Sequence, residues 1–333
     1  VIDDVTLCIA KKKAEESRNA EAQASNQNAQ NNVNADTTAV FYKSLSGKAQ
    51  NIILKNSKLE LTLSTKGGTV EKAVIKDFKD NKGNKDLTLF DSKDQSLKFM
   101  LEGKETNIIT SDLYFTPSNI TDSTVTMTAV GSNGRSLVMN YKLGKNYLLH
   151  FSLKANGMSG LFSPNYNKLD IEWTDHCRQQ EKGFTFENRY ASLTYHFTDG
   201  GTDYISETSE KVDEKIEDAI DWVAFKNQFF SAVMIAKDDF GANSLLTSIP
   251  QEKGSGYLKQ YGAKMQTSFD PTGKNLTELE FYYGPNDFRL LQKIEKESTF
   301  NKELELHRLV YLGWPLFRII NRWFTLYVFD WLT

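Results

Sequence analysis

From Phe41 onward the large apolar residues of this 333-residue chain fall on every second position, the period that a strand with one buried face requires. Leu59, Leu61 and Leu63 open the pattern, Lys66-Gly67-Gly68 turns the chain, and Val70 begins the next run. The alternation returns at Leu97, Phe99 and Leu101, then at Leu137, Met139, Tyr141 and Leu143. After Gly144-Lys145-Asn146 it continues through Tyr147, Leu149, Phe151 and Leu153, the arrangement of a hairpin. Leu169, Ile171 and Trp173 make one face of a further strand and leave Asp170 and Glu172 on its wet face. Leu279, Phe281 and Tyr283 alternate up to Gly284-Pro285. Evenly spaced strands with turn chemistry between them predict a mainly β, antiparallel sandwich, and 21 Phe and 14 Tyr against 6 Pro suit that packing.

Two stretches escape this period. Residues 222–235, WVAFKNQFFSAVMI, are apolar almost throughout, so they read as core but not as strand or helix. Helical spacing enters only near the end, where Pro285 suits a first turn and Phe288, Leu291 and Ile294 or Glu295 follow. No internal repeat is found.

Three regions result. Residues 1–40 form a polar tether: 11–38 are Lys, Glu, Ala, Asn and Gln with almost no large apolar residue, so burial cannot offset the entropy of ordering them. Residues 41–300 are expected to make one long β unit, and 301–333 a linker followed by an amphipathic helix. Residues 1–10 carry Asp3 and Asp4 and do not read as a signal peptide. No run of about eighteen uncharged apolar residues predicts a membrane-crossing helix. A start without Met and an end in Trp331-Leu332-Thr333 are expected of a fragment.

The formal net charge of −3, with no Lys/Arg stripe interleaved with aromatics, argues against nucleic acid as a partner. Cys8 and Cys177 make neither a disulfide framework nor a metal motif and read as incidental thiols. His150, His176, His196 and His307 lack the spacing of zinc ligands. Gly254-Ser255-Gly256 is too short for a dinucleotide loop, and Gly157-Met158-Ser159-Gly160 is not a nucleophile elbow. Asp170, Glu172, Asp175 and His176 come nearest to a catalytic cluster, against the plainer reading of an acidic outer face on an edge strand. No catalytic, cofactor-binding or metal-binding residue is assigned, and no cofactor is expected.

From Gly313 the chain reads GWPLFRIINRWFTLYVFDWLT. Arg318, Asn321, Arg322 and Thr325 fall on one helical stripe, while Leu316, Phe317, Ile319, Ile320, Trp323, Phe324, Leu326, Tyr327 and Val328 cover a wide apolar arc. A helix of that length could span a bilayer, but each Arg near its centre costs roughly 2.5–3.5 kcal/mol, whereas Trp and Arg are comfortable at the interface. Trp314, Pro315, Arg318, Arg322, Trp323 and Trp331 are therefore expected to anchor the chain to a lipid surface. Packing into the protein's own core is the competing reading.

The blocks KGGTVEKAVIKDFKD, DWVAFKNQFFSAVMIA, YYGPNDFRLL and VYLGWPLFRIINRWF, in that order, resemble the YidC family of membrane protein insertases, and most nearly its Bacteroidetes-type members. The resemblance covers residues 41–333. It implies a periplasmic β-supersandwich, similar to galactose mutarotase-like folds, on the bacterial inner membrane. The final segment would be an interfacial helix leading into a transmembrane helix. It also implies partners: the lipid surface, nascent membrane proteins, the Sec translocon and the family's own transmembrane core. The family's first transmembrane helix is not matched by residues 1–10, and its insertase core would lie beyond Thr333, so insertion is not expected of this stretch alone. The fold also leaves a carbohydrate-binding or aldose-epimerase-like enzyme as an alternative.

Overall fold

The computed structural model describes residues 40–80, 83, 85–205 and 211–310. The expected tether with Cys8, and the residues expected to anchor the chain to lipid, Trp314, Pro315, Arg318, Arg322, Trp323 and Trp331, lie outside them.

Nineteen strands are described, and every pairing between them is antiparallel. A four-stranded sheet takes β1 (Asn51–Lys55), β2 (Leu59–Ser64), β3 (Val70–Lys79) and β4 (Asp86–Phe90) in order. The nine-stranded sheet contains β7 (Thr116–Ser118), β8 (Thr124–Val130), β9 (Ser136–Leu143), β10 (Leu148–Asn156), β12 (Ser192–Phe197) and β13 (Thr202–Tyr204). Its remaining strands are β15 (Ile220–Lys226), β16 (Phe230–Phe240) and β19 (Thr277–Pro285), and the order is β13-β12-β15-β16-β19-β10-β9-β8-β7. The six-stranded sheet contains β5 (Gln95–Leu101), β6 (Ile108–Ile109), β11 (Lys168–Arg178), β14 (Val212–Ile216), β17 (Ser244–Pro250) and β18 (Tyr257–Ser268), ordered β14-β17-β18-β11-β5-β6.

The two larger sheets pack face to face. Trp173 of β11 stacks on Phe225 of β15 with ring centroids 3.8 Å apart, Phe225 stacks on Tyr261 of β18, and Phe99 of β5 stacks on Phe151 of β10. A buried aromatic removes about 150–250 Å² from water, worth roughly 4–6 kcal/mol before entropy is counted, so this row of rings dominates the core. The turn at Lys66-Gly67-Gly68 is fixed by conformation, since Gly67 and Gly68 have φ of +80° and +71°.

The ambiguous stretch 222–235 is a strand, a turn and a strand. Asn227 Oδ1 accepts from the amides of Phe229 (2.9 Å) and Phe230 (2.7 Å), reversing the chain between β15 and β16. Both strands are buried on two faces, which is why no period of two is visible. One face meets the six-stranded sheet; the other is covered by the residues that follow β19.

Two expectations are corrected. β11 is not an edge strand, because it lies between β18 and β5. Pro285 does not open a helix; it closes β19 opposite Phe230, and helix α2 (Phe288–Glu297) begins after Asp287, whose carboxylate accepts from Leu290 N. A short helix α1 (Phe184–Arg189) has no counterpart in the sequence reading. Cys177 sits buried in β11, where burial, reinforced by Asp175 and Glu187, holds its thiol well above the usual range.

Candidate functional site

Strand register places one lateral row across five strands of the nine-stranded sheet. His196 pairs with Trp222, Trp222 with Ile235, Ile235 with Glu280, and Glu280 with His150. Directly opposed residues share a face, so this row lies on the side away from the inter-sheet core. Residues 288–310 are laid over it as a strap.

The strap begins with α2, which turns Phe288, Leu291 and Ile294 toward the sheet. Thr299 then donates to Glu280 Oε1 from both its amide and its hydroxyl, each at 2.9 Å, and His150 Nδ1 reaches the same oxygen at 2.9 Å. Lys302 Nζ bonds Asp221 Oδ1 at 2.6 Å and the Asp238 carbonyl at 3.0 Å. Trp222 Nε1 donates to the Leu304 carbonyl at 2.7 Å. The amides of Leu304 and Glu305 donate back to Glu295 Oε1 at 2.9 and 3.0 Å, closing the strap on its own helix. Leu304, Leu306 and Leu309 are buried in the same hydrophobic core as the sheets, so that core continues past residue 300.

His196 is 1% exposed and stacks on Trp222. Its Nδ1 faces Asp221 Oδ2 at 3.5 Å and its Nε2 faces Glu305 Oε2 at 3.4 Å, so the imidazole stands between a sheet carboxylate and a strap carboxylate. Glu305 also pairs with Arg308 at 2.7 Å. An open cleft of about 620 Å³ lies beside this cluster, lined by His196, Asp221, Asp238, Asp239, Lys302 and Glu305 among others.

The electrostatics are those of a latch. Burial works to raise the Glu280 carboxyl, but hydrogen bonds from His150, Ser298 and Thr299 outweigh it and hold it below the usual range. Asp221 is likewise lowered: burial opposes, and His196 and Lys302 prevail. Glu305 is lowered in the same way by Arg308 and His196 against its burial. Asp239 is raised, first by burial and then by its neighbours Asp221 and Asp238, despite Lys302. Among the described residues no group of three His, Cys, Asp or Glu side chains could hold a metal ion.

The candidate cluster on β11 does not assemble, and the plainer reading of an outward polar face holds for three of its four residues. Asp170 accepts from Gln266 Nε2 at 2.6 Å, Glu172 pairs with Lys98 at 2.8 Å, and the His176 ring lies edge-on to Tyr257, all on the outward face. Asp175 points the other way, 6% exposed and with no hydrogen-bond partner for Oδ1; burial, reinforced by Asp94, pushes its carboxyl well above the usual range. Strand parity dictates this split, since 170, 172 and 176 are even positions and 175 is odd. The same rule could have excluded the cluster from the sequence. The pairing of His150 with Glu280 could not be read there, because 130 residues separate them.

Among the described residues no helix is long and apolar enough to cross a membrane. Trp314 follows Val310 by four positions, so the strap leads directly into the amphipathic stretch.

Residues 51–327 match the family model of the YidC periplasmic domain. The membrane protein insertase YidC of Phocaeicola vulgatus is 48% identical over 331 residues, covering 99% of this chain and 52% of that protein. Its namesake from Bacteroides fragilis strain NCTC 9343 is 41% identical over 321 residues, covering 96% of this chain and 51% of that protein. The chain thus spans about half the length of the curated relatives it matches. Among solved structures, a galactose mutarotase-like protein from Lactobacillus casei aligns with a TM-score of 0.44 at 12% identity, over 71% of this chain and 100% of that one. A galactose mutarotase related enzyme from Lactobacillus acidophilus gives 0.42 at 10% identity, over 70% and 97%. Likeness at that level carries nothing about activity.

Proposed function

The chain belongs to the YidC periplasmic domain family, and from this we infer that it is the periplasmic part of a membrane protein insertase at the bacterial inner membrane. Its role in this reading is that of a non-catalytic scaffold. The sandwich holds partners beside the membrane while nascent proteins enter the bilayer and fold, with the Sec translocon or without it. Residues 301–333 join the sandwich to a transmembrane core, the end of the strap coming first and an interfacial anchor after it. In the anchor, the indoles of Trp314, Trp323 and Trp331 sit at headgroup depth, the guanidiniums of Arg318 and Arg322 pair with headgroups, and Pro315 starts the helix.

The observation that carries this reading is the strap. It is bonded to the sheet at Glu280, Asp221 and Trp222, its Glu305 faces His196 at 3.4 Å, and Trp314 of the amphipathic stretch follows Val310 by four positions. An anchor joined to a fixed strap sets where the whole sandwich stands relative to lipid, which a flexible linker would not.

Flotation with vesicles tests the anchor. The 333-residue chain should float with anionic vesicles, and a W314A/R318Q/R322Q/W323A variant should not; equal flotation of the two removes the anchoring role. The partner role is tested in the full-length protein with photocrosslinkers on exposed positions of the nine-stranded sheet during synthesis of a membrane protein. Adducts to the nascent chain or to Sec components are expected, and their absence at every position would count against a docking surface there.

A further inference from the structure

The strap's starting end carries a second feature that the anchor does not account for. The β15–β16 turn is held rigidly: besides the two bonds to Asn227 Oδ1, Asn286 Nδ2 donates to the carbonyls of Asn227 (3.2 Å) and Gln228 (3.4 Å), and the Asn286 amide donates to the Phe229 carbonyl at 2.6 Å. This turn presents Phe229 at its tip, 44% exposed. Beside it the Phe78 ring, 36% exposed, stands edge-on to Phe230 with centroids 5.1 Å apart.

Helix α2 starts at Phe288, directly after Asn286 and Asp287. Arg289, Lys293 and Lys296 fall at i, i+4 and i+7, all exposed and on the side opposite Phe288, Leu291 and Ile294. Glu297 borders that stripe, standing 4.0 Å from Lys293 Nζ and accepting from Asn146 Nδ2 at 2.8 Å, so the stripe keeps a net positive charge against this single acid at its edge. Aromatic tips beside a stripe of cations are the chemistry of a surface that meets anionic headgroups.

The chain path brings the start of the amphipathic stretch within reach of this end. The Phe288 ring lies 5.2 Å from that of His307, and Val310 N bonds the His307 carbonyl at 3.1 Å, so the last described residues stand beside the first turn of α2. Four residues reach at most about 14 Å, which bounds the distance from Val310 to Trp314. If Trp314 is at a bilayer, α2 is near it.

Resting on the anchoring reading above, we propose that Phe78, Phe229 and the Arg289–Lys293–Lys296 stripe form a second lipid contact, in which α2 lies against anionic headgroups and the β15–β16 tip inserts between them. The sandwich then touches the membrane at two places and is held in one orientation.

The test uses the 333-residue chain with vesicles of phosphatidylglycerol or of phosphatidylcholine. R289Q/K293Q/K296Q should weaken binding to the anionic vesicles by about ten-fold or more and flatten its salt dependence, since each cation near a charged surface contributes roughly five-fold. F229S, alone and with F78S, should weaken binding to both vesicle types by several-fold. F186S and K253Q, exposed substitutions elsewhere, serve as controls, and unchanged melting of F229S and the charge variant excludes unfolding. If the charge variant and F229S bind as the controls do while R318Q/R322Q loses binding, the second contact is refuted and the anchor stands. If the unaltered chain itself fails to bind, both fall.

Discussion

Trp222 and Leu304 stand 82 residues apart in sequence, and the indole of the first donates a 2.7 Å hydrogen bond to the carbonyl of the second in a site that excludes water. A strand deep in the nine-stranded sheet is thereby joined to the strap that covers it. The bond matters because an unmade hydrogen bond is expensive where no water can replace it.

Trp222→Phe keeps an aromatic ring but leaves the Leu304 carbonyl buried without a donor. It should destabilise the protein by roughly 1–3 kcal/mol, read as a lower urea midpoint. Amide exchange at residues 304–310 should accelerate more than exchange in β5 or β11. Unchanged exchange in the strap would mean that its apolar contacts hold it without this bond.

Acid should release the strap before the rest of the sandwich. Glu280, Asp221 and Glu305 titrate below their ordinary values of 4.5, 3.8 and 4.5, so the folded state holds fewer protons than the unfolded chain in this range. Their contribution is complete above about pH 4.5 and disappears as pH falls through the lowered values. Melting temperature should therefore drop from about pH 4.5 downward, and the drop should be shallower in Glu280→Gln. An equally steep fall in that variant would show that the acid sensitivity arises elsewhere.

Where one face of a strand is buried, the sequence was enough to find it: β2, β5, β9, β10 and β11 all follow the alternation of their Leu, Phe, Met and Tyr residues. β15 and β16 were not legible as strands because the strap buries their second face and erases the period. The latch was invisible for another reason. His196, Asp221 and Glu305 meet only through strand register and the path of the strap, and no local spacing records either. Pro285 misled because proline suits both a helix start and a strand end; Asp287 is the residue that caps.

Gly68 offers a test of backbone geometry. At φ +71° any L side chain is strained, and a Cβ there would meet Met139 Sδ at 2.7 Å and the Phe115 ring at 3.2 Å. Gly68→Ala should destabilise by about 1–3 kcal/mol, and Gly83→Ala, equally left-handed but with open space around it, by less. Equal losses in chemical denaturation would assign the whole effect to φ and none to the clash.

Asp175 should act in the opposite sense to the latch. Its carboxyl is raised well above the ordinary 3.8 by burial and by Asp94, so the folded state binds a proton more readily than the unfolded chain. The stability tied to that proton is present below pH 3.8 and is lost as pH rises toward the raised value. At neutral pH the group is therefore a liability, and Asp175→Asn, which supplies the neutral form permanently and can donate toward Asp94, should stabilise by roughly 1 kcal/mol or more. At pH 3.5 the two proteins should be nearly equal. Urea midpoints across pH 3.5–7.5 separate the cases: a gap that widens with pH fits a buried acid with no chemical task, whereas a loss of stability in the Asn variant at every pH would mean that the ionised carboxylate is held by a partner after all.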